Sequence, residues 1–224
     1  MSGWWMYDLW QTDPLALFSA VFWVVFSICL HELGHGFVAI RCGDDTPRHT
    51  GHMTWNPFVH IPPMAWILFA IVGITWGLMP VNPSRFRRWI DEAWVSFAGP
   101  AVNLILVALC IVLDAAWLNV AGRAVSDQTF QNIHVFFHLG ARLNVVLFVF
   151  NLLPVPPLDG SNILGTFIPE FRRLARNPNA MVAGLVILMI ASRMGGGSML
   201  FTCAERVSSG GVSSLVRLFH AIAR

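Results

Sequence analysis

The segment His31-Glu32-Leu33-Gly34-His35 sets two imidazoles four residues apart with a carboxylate beside them. On a helix, positions i and i+4 share a face about 6 Å apart along the axis. Two imidazoles at that spacing can grip one metal ion, and Glu32 can accept a proton from water held there. This is the HExxH arrangement of zinc hydrolases. A catalytic zinc usually has three protein ligands and one open position, so a third ligand must come from elsewhere. The acids in or beside apolar stretches are Glu32, Asp114 and Asp159. Asp159 follows Asn151-Leu152-Leu153-Pro154-Val155-Pro156-Pro157-Leu158 and precedes Gly160. The prolines end a helix and force an extended backbone with fewer N–H donors to satisfy. An acid delivered by such a segment suits a metal ligand, and capping the next helix is the other reading of it. Asp114 reads as an interfacial acid.

The elements that must position these groups lie in a membrane. Of 224 residues, 56% are hydrophobic and only 12% charged, whereas soluble domains carry about 25% charged residues. So little polar surface cannot cover a water-soluble globule, and a mean hydropathy of +0.63 agrees. Two His and a Glu inside an apolar span are costly in lipid, so they should face a partner or a wet cavity. All 14 basic residues are Arg, the formal net charge is +2, and no basic patch interleaves with aromatics. Nucleic-acid binding is therefore disfavoured. Cys29, Cys42, Cys110 and Cys203 form no CxxC pair and read as small, mostly buried residues without a disulfide framework. The N-terminus lacks the basic region of a cleaved signal peptide.

Apolar stretches at 15–40, 94–120 and 134–153 are long enough to cross a bilayer as helices. The stretch 180–190 is shorter. The segment 41–62, with Gly43, Pro47, Gly51 and Pro57, reads as irregular or short-strand structure. The tail 212–224 places Leu215, Leu218, Phe219 and Ile222 at helical spacing, as in an amphipathic surface helix. Arg41, Arg48, Arg85, Arg87, Arg88, Arg172, Arg173 and Arg176 fall in segments 41–61, 80–93 and 160–180, while segments 1–14 and 119–133 hold only Arg123. The positive-inside rule makes the first group cytoplasmic. Both flanks of 63–79 are then on one side, so this stretch should dip in and return, with Gly73 and Gly77 easing the turn. The expected fold is an all-α polytopic membrane protein, a bundle of transmembrane helices with a re-entrant or short-strand segment after the first ligand helix. The expected organisation is a single membrane-embedded domain over 1–224, with its core at about 15–170 and C-terminal helices over 171–224.

The chain resembles the site-2 proteases, the intramembrane zinc metalloprotease family. The resemblance rests on His31-Glu32-Leu33-Gly34-His35 and on Asn151-Leu152-Leu153-Pro154 leading to Leu158-Asp159-Gly160. Ala98-Gly99-Pro100-Ala101-Val102-Asn103 supports it by matching the family's AGPxxN stretch. Asn56-Pro57 and Pro80-Val81-Asn82-Pro83, followed by Phe86, resemble a compact bacterial branch that lacks PDZ and CBS domains. The resemblance implies one zinc per chain, held by His31, His35 and Asp159. It makes Glu32 the general base and Asn151 a contact for the substrate backbone or the oxyanion. It implies a substrate that is itself a membrane-spanning protein, and a multi-pass location in a prokaryotic cell membrane with the site nearer the cytoplasmic face. Asn103 reads as a helix-packing residue. Asp45-Thr46-Pro47 departs from the branch's Pro-Thr after Gly-Asp, and Trp76-Gly77 from its Trp-Ala-Lys-Pro, departures that touch substrate choice more than chemistry.

The remaining histidines read as structural. His134 and His138 share a helix face with no acid nearby in sequence, and His49 and His52 lie in a polar loop. The competing class is a metal-ion channel or transporter using the same His and Asp residues, which would have no need of Glu32 or an oxyanion donor. Oligomeric state has no signature in the sequence.

Overall fold

The computed structural model describes residues 4–120, 125–175 and 177–222. Among them are eleven α-helices and no strand. Three helices are long and apolar enough to cross a bilayer: α2 (Pro14–Arg41), α6 (Asp91–Val120) and α7 (Asp127–Asn151). The short helix α9 (Pro169–Ala175) and α10 (Pro178–Ala191) supply a fourth if the bent pair counts as one broken span. The protein is an all-α polytopic membrane protein.

Helix α2 begins where Asp13 accepts the Ala16 N–H at 2.9 Å and Pro14 occupies the first turn. Its neighbours approach closely through small residues, as lipid-embedded helices do. A Cβ at Gly34 would meet Val102 and the Ala98 carbonyl of α6, and one at Gly140 would run into the Trp23 ring. Trp23 is buried and donates its indole N–H to the Phe136 carbonyl of α7 at 2.8 Å. Cys29, Cys42 and Cys110 are buried free thiols, while Cys203 is exposed.

The segment after α2 contains no strand. It forms two helical turns, α3 (Thr46–His49) and α4 (Pro57–His60), each with its proline in the first turn. Prolines that read as breakers thus start helices, where their missing N–H has no partner to lose. Helix α5 (Pro63–Val72) follows and stops at Gly73, whose φ of +80° places it in the left-handed region. At about 1.5 Å per residue, its ten residues span roughly 15 Å, half a bilayer core. The chain then returns without helix: the Leu78 N–H donates to the His60 carbonyl at 2.8 Å. The excursion between them begins and ends at one level, as expected of a re-entrant segment. Helix α1 (Trp5–Thr12) supports its tip, since Trp4 and Trp5 donate indole N–H groups to the carbonyls of Ala70 and Phe69 at 2.6 and 3.2 Å. Both carbonyls lie in the last turn of α5, where that of Phe69 also accepts the Gly73 N–H at 2.9 Å.

The arginine-bearing segments gather at one end of the bundle. The Arg87 N–H donates to the Cys42 carbonyl at 3.1 Å, and Arg172 pairs with Glu92 at 3.0 Å. Arg123 and Arg176 lie outside the described residues. The tail is helical, as its spacing predicts, and continues a longer element. Residues 212–222 continue α11 (Gly197–Ile222), a 26-residue helix packed along α6 and α7 through the buried Ala204, Ser208 and Val212. Its small residues let it lie lengthwise in the groove between those helices.

Two outcomes test this arrangement. In a Cys203→Ser background, His49→Cys and Arg85→Cys should both react with an impermeant thiol reagent from the same membrane face; labelling from opposite faces would exclude the re-entrant path. The second concerns Asp44, fully buried, which accepts the Asn82 N–H at 2.6 Å and the Thr46 N–H at 3.0 Å. Burial pushes its pKa up, but these bonds and that from the Thr46 hydroxyl outweigh it, and the net direction is down. A depressed folded pKa gives stability that is complete above the unfolded value of about 3.9 and is lost as pH falls through the folded one. Asp44→Ala should therefore lower the melting temperature at pH 7, by circular dichroism in detergent, and the gap to wild type should narrow below about pH 4. An equal gap at both pH values would show that the charge contributes nothing.

Candidate metal centre

His31 and His35 are one turn apart on the face of α2 that meets α6, and both are buried. Each ring is held from behind at Nδ1. His31 Nδ1 lies 2.7 Å from Asn103 Oδ1, and His35 Nδ1 lies 2.7 Å from the Val95 carbonyl. Both facing atoms are acceptors, so each Nδ1 carries a proton and Nε2 is the nitrogen that each ring turns toward the centre. The two Nε2 atoms are 3.0 Å apart. Asp159 completes the group, with Oδ2 at 3.1 Å from His31 Nε2 and Oδ1 at 3.4 Å from His35 Nε2.

The structure therefore brings together His31, His35 and Asp159, whose ligand atoms all lie within 4.8 Å of one another. Two imidazole nitrogens and a carboxylate thus converge in a buried space, where one cation could be held by all three. Three details show that a metal fits. Asp159 Oδ2 is buried without a hydrogen-bond partner. The wall opposite is Gly99, where a Cβ would collide with both His31 Nε2 and His35 Nε2. The donor set, two imidazoles and one carboxylate, is that of three-ligand catalytic zinc sites.

The loop that delivers Asp159 is held by close backbone packing. Residues 152–158 leave α7 without regular structure, and Asp159 is the first residue of α8 (Asp159–Phe167). It does not cap that helix: Leu158 is the N-cap residue, without a side-chain bond. A Cβ at Gly160 would strike the Leu152 carbonyl, and one at Gly184 of α10 would strike the Pro156 carbonyl. Both glycines are required by close approach.

Glu32 is buried and next to the ligand face, and the returning segment passes directly over it: a Cβ at Gly77 would meet its carboxyl group. Asn151 is the last residue of α7, half-buried, and donates one amide N–H to the Leu147 carbonyl at 3.0 Å. It lies outside the three-ligand group.

Asn103 differs from its expected packing role, because it is fully buried and bonded to a ligand ring. The spacing carries a signal for this: Gly99 and Asn103 are i and i+4, so a face whose glycine admits the imidazoles also aims the asparagine at them. Asn144, which no sequence pattern singled out, is fully buried behind Asn103.

The second histidine pair also has partners that sequence distance concealed. Asp114 is not interfacial. It is fully buried, with Oδ1 at 2.7 Å from His134 Nδ1 and Oδ2 at 3.8 Å from His138 Nδ1. His138 Nε2 reaches Glu205 of α11 at 3.0 Å, and Arg142 pairs with the same carboxylate at 3.3 Å. His138 thus directs its two ring nitrogens to different acids, and the cluster joins three helices as an ionic network. His49 is exposed, and His52 bonds locally to Thr50.

A buried, HExxH-bearing membrane helix with a third ligand from a proline-rich loop defines a membrane metallopeptidase site. Residues 116–191 match the model of peptidase family M50. The Bacillus subtilis protein named "Putative zinc metalloprotease YwhC" is 34% identical over 212 residues, covering 93% of this chain and 94% of its own. Rip2 of Mycobacterium tuberculosis H37Rv, which carries the same designation, is 32% identical over 82% of this chain and 73% of its own. Zinc metalloprotease MJ0392 of Methanocaldococcus jannaschii is 27% identical over 68% of this chain and 37% of its own. No solved structure matches the chain. The chain belongs to peptidase family M50, and it is a metalloprotease whose metal, by family and by donor set, is zinc.

Gly99→Ala tests the cradle. Overpacking costs roughly 1–3 kcal/mol, which corresponds to a loss of zinc affinity of about 5- to 150-fold in chelator competition, with helix content retained. Unchanged affinity would remove Gly99 from the wall of the site.

Proposed function

We propose that the chain is an intramembrane zinc endopeptidase that hydrolyses a peptide bond within or near a transmembrane helix of another membrane protein. The observation that carries this is the position of the ligands along α2. His31 lies about 25 Å from the start of the helix and about 15 Å from Arg41, at 1.5 Å per residue. That depth is inside a bilayer and nearer the arginine-rich end, which the positive-inside rule assigns to the cytoplasm of a prokaryotic cell membrane. Soluble substrates do not reach such a site, whereas a helix already in the bilayer does.

In this reading His31, His35 and Asp159 hold the metal. Zinc, when bound, supplies Lewis acidity and lowers the pKa of water to about 7. Glu32, adjacent in sequence to His31, points about 100° around the helix from it and can approach the reacting centre without taking a ligand position. Its carboxylate takes the proton of the attacking water and returns it to the leaving amine. Asn151 retains a second amide N–H beyond the one given to Leu147, free to donate to the scissile carbonyl as negative charge develops.

Glu32→Gln separates this function from metal transport. Purified variant should fold, keep about one zinc per chain and bind substrate, while cleavage falls by at least about 100-fold, the low end for a positioned acid–base group. A transporter would keep its metal flux after this change. Near-wild-type proteolysis by the Gln variant would place the base elsewhere.

A further inference from the structure

Behind His31 lies a chain of buried amides whose polarity is set by one backbone carbonyl. Asn144 Nδ2 donates to the Gly140 carbonyl at 2.9 Å, one turn back on α7. A carbonyl oxygen can only accept, so the NH2 of Asn144 must point to it and its Oδ1 must point away. Asn144 Oδ1 faces Asn103 Nδ2 at 3.0 Å. Asn103 is therefore held with its NH2 toward α7 and its Oδ1 toward α2, where His31 Nδ1 lies at 2.7 Å. Flipping either amide would set acceptor against acceptor or donor against donor in a place without solvent, since both asparagines are fully buried. A buried polar group left without a partner there is strongly disfavoured. One arrangement therefore dominates, and it gives the His31 ring one orientation and one tautomer.

We propose that Asn144, which touches no metal-binding side chain, is a positioning residue for the metal. It fixes the flip of Asn103, which holds the His31 proton on Nδ1 and keeps the Nε2 lone pair directed at the centre. His35 is fixed by the Val95 carbonyl, which cannot flip. His31 is thus the one ligand whose tautomer depends on side chains, and those side chains tie α2 to α6 and α7. The anchor is itself fixed by packing: Gly140 lies against the Trp23 ring of α2, with no room there for a Cβ.

The inference rests on the zinc reading above, and its test distinguishes the two. Zinc affinity is measured by chelator competition in detergent for wild type, His31→Ala, Asn144→Leu, Asn103→Leu and Asn103→Asp, with apo-protein folding followed by circular dichroism. Asn144→Leu and Asn103→Leu should each weaken zinc roughly 10- to 100-fold, the range for partners that orient a ligating histidine. Asn103→Asp keeps an acceptor for His31 Nδ1–H while losing the donor to Asn144 Oδ1, so its loss of zinc affinity should be smaller than that of Asn103→Leu. On 15N-histidine-labelled apo protein in bilayers, the His31 signals should show a single Nδ1–H tautomer in wild type and a mixture in Asn144→Leu. Wild type without zinc, or His31→Ala with full zinc, would overturn the underlying metal reading. Wild-type affinity and a single tautomer in Asn144→Leu would overturn the positioning role alone. If Asn144→Leu does not fold, the Asn103 pair decides: equal losses in Asn103→Leu and Asn103→Asp would show that the acceptor at Nδ1 does not matter.

Discussion

The structure turns on the convergence of three electron-pair donors in a medium that solvates none of them. Two imidazole nitrogens 3.0 Å apart, with a carboxylate at 3.1 and 3.4 Å, offer a cation three donors in a low-dielectric interior, where its charge offsets that of the carboxylate. Holding them there before the cation arrives requires that each ring be pinned at its far nitrogen and that the carboxylate come from a backbone with little freedom. Helix α6 meets the first requirement twice, through the Val95 carbonyl and Asn103. It also opens the space, because Gly99 lies on the same face. The close packing of α2 and α6 is thus a condition of the site, since a larger residue at Gly34 or Gly99 would separate the pinning atoms from the rings.

The carboxylate comes by a different route. Asp159 is not on a spanning helix but at the start of α8, after seven residues with three prolines. Those prolines remove N–H donors that would otherwise need partners at membrane depth. Gly160 packs against the Leu152 carbonyl and Gly184 against the Pro156 carbonyl, so α10 lies behind the loop. The C-terminal part of the chain therefore supports the metal centre although it holds none of the ligands.

The parts legible in the sequence are those whose signal is local. The HExxH pair needs only a helix, and the three long spans need only composition and length. The alternation of arginine-rich and arginine-poor segments yields a re-entrant path for 63–79, and the contact between Leu78 and His60 agrees with it. Asp159 was legible through its proline-rich approach and the family pattern. What escaped was contact between distant residues of ordinary type. Asn103 and Asn144 are 41 residues apart, and His138 and Glu205 are 67 apart. A single asparagine in an apolar run looks the same whether it packs, bonds to a neighbouring helix or orients a ligand. Asp114 looked interfacial because its partner histidines lie on the next helix, and pairing removes the cost that burial would otherwise impose. The two short helices after α2 escaped for another reason: proline ends helices in their interior but starts them in the first turn, and composition alone does not say which applies.

Helix α7 links these observations. Along its first two-thirds, His134, His138 and Arg142 engage Asp114 of α6 and Glu205 of α11. Two residues on from Arg142, Asn144 enters the amide chain behind His31, and the helix ends at Asn151, where the loop to Asp159 begins. One helix thus carries, in order along its length, the ionic network, the orientation of one candidate ligand and the delivery of another. Rotating α7 by one residue, about 100°, would break all three sets of contacts together. Its packing register is therefore over-determined, which a site built from three separate chain segments requires if its ligands are to meet within a few tenths of an ångström.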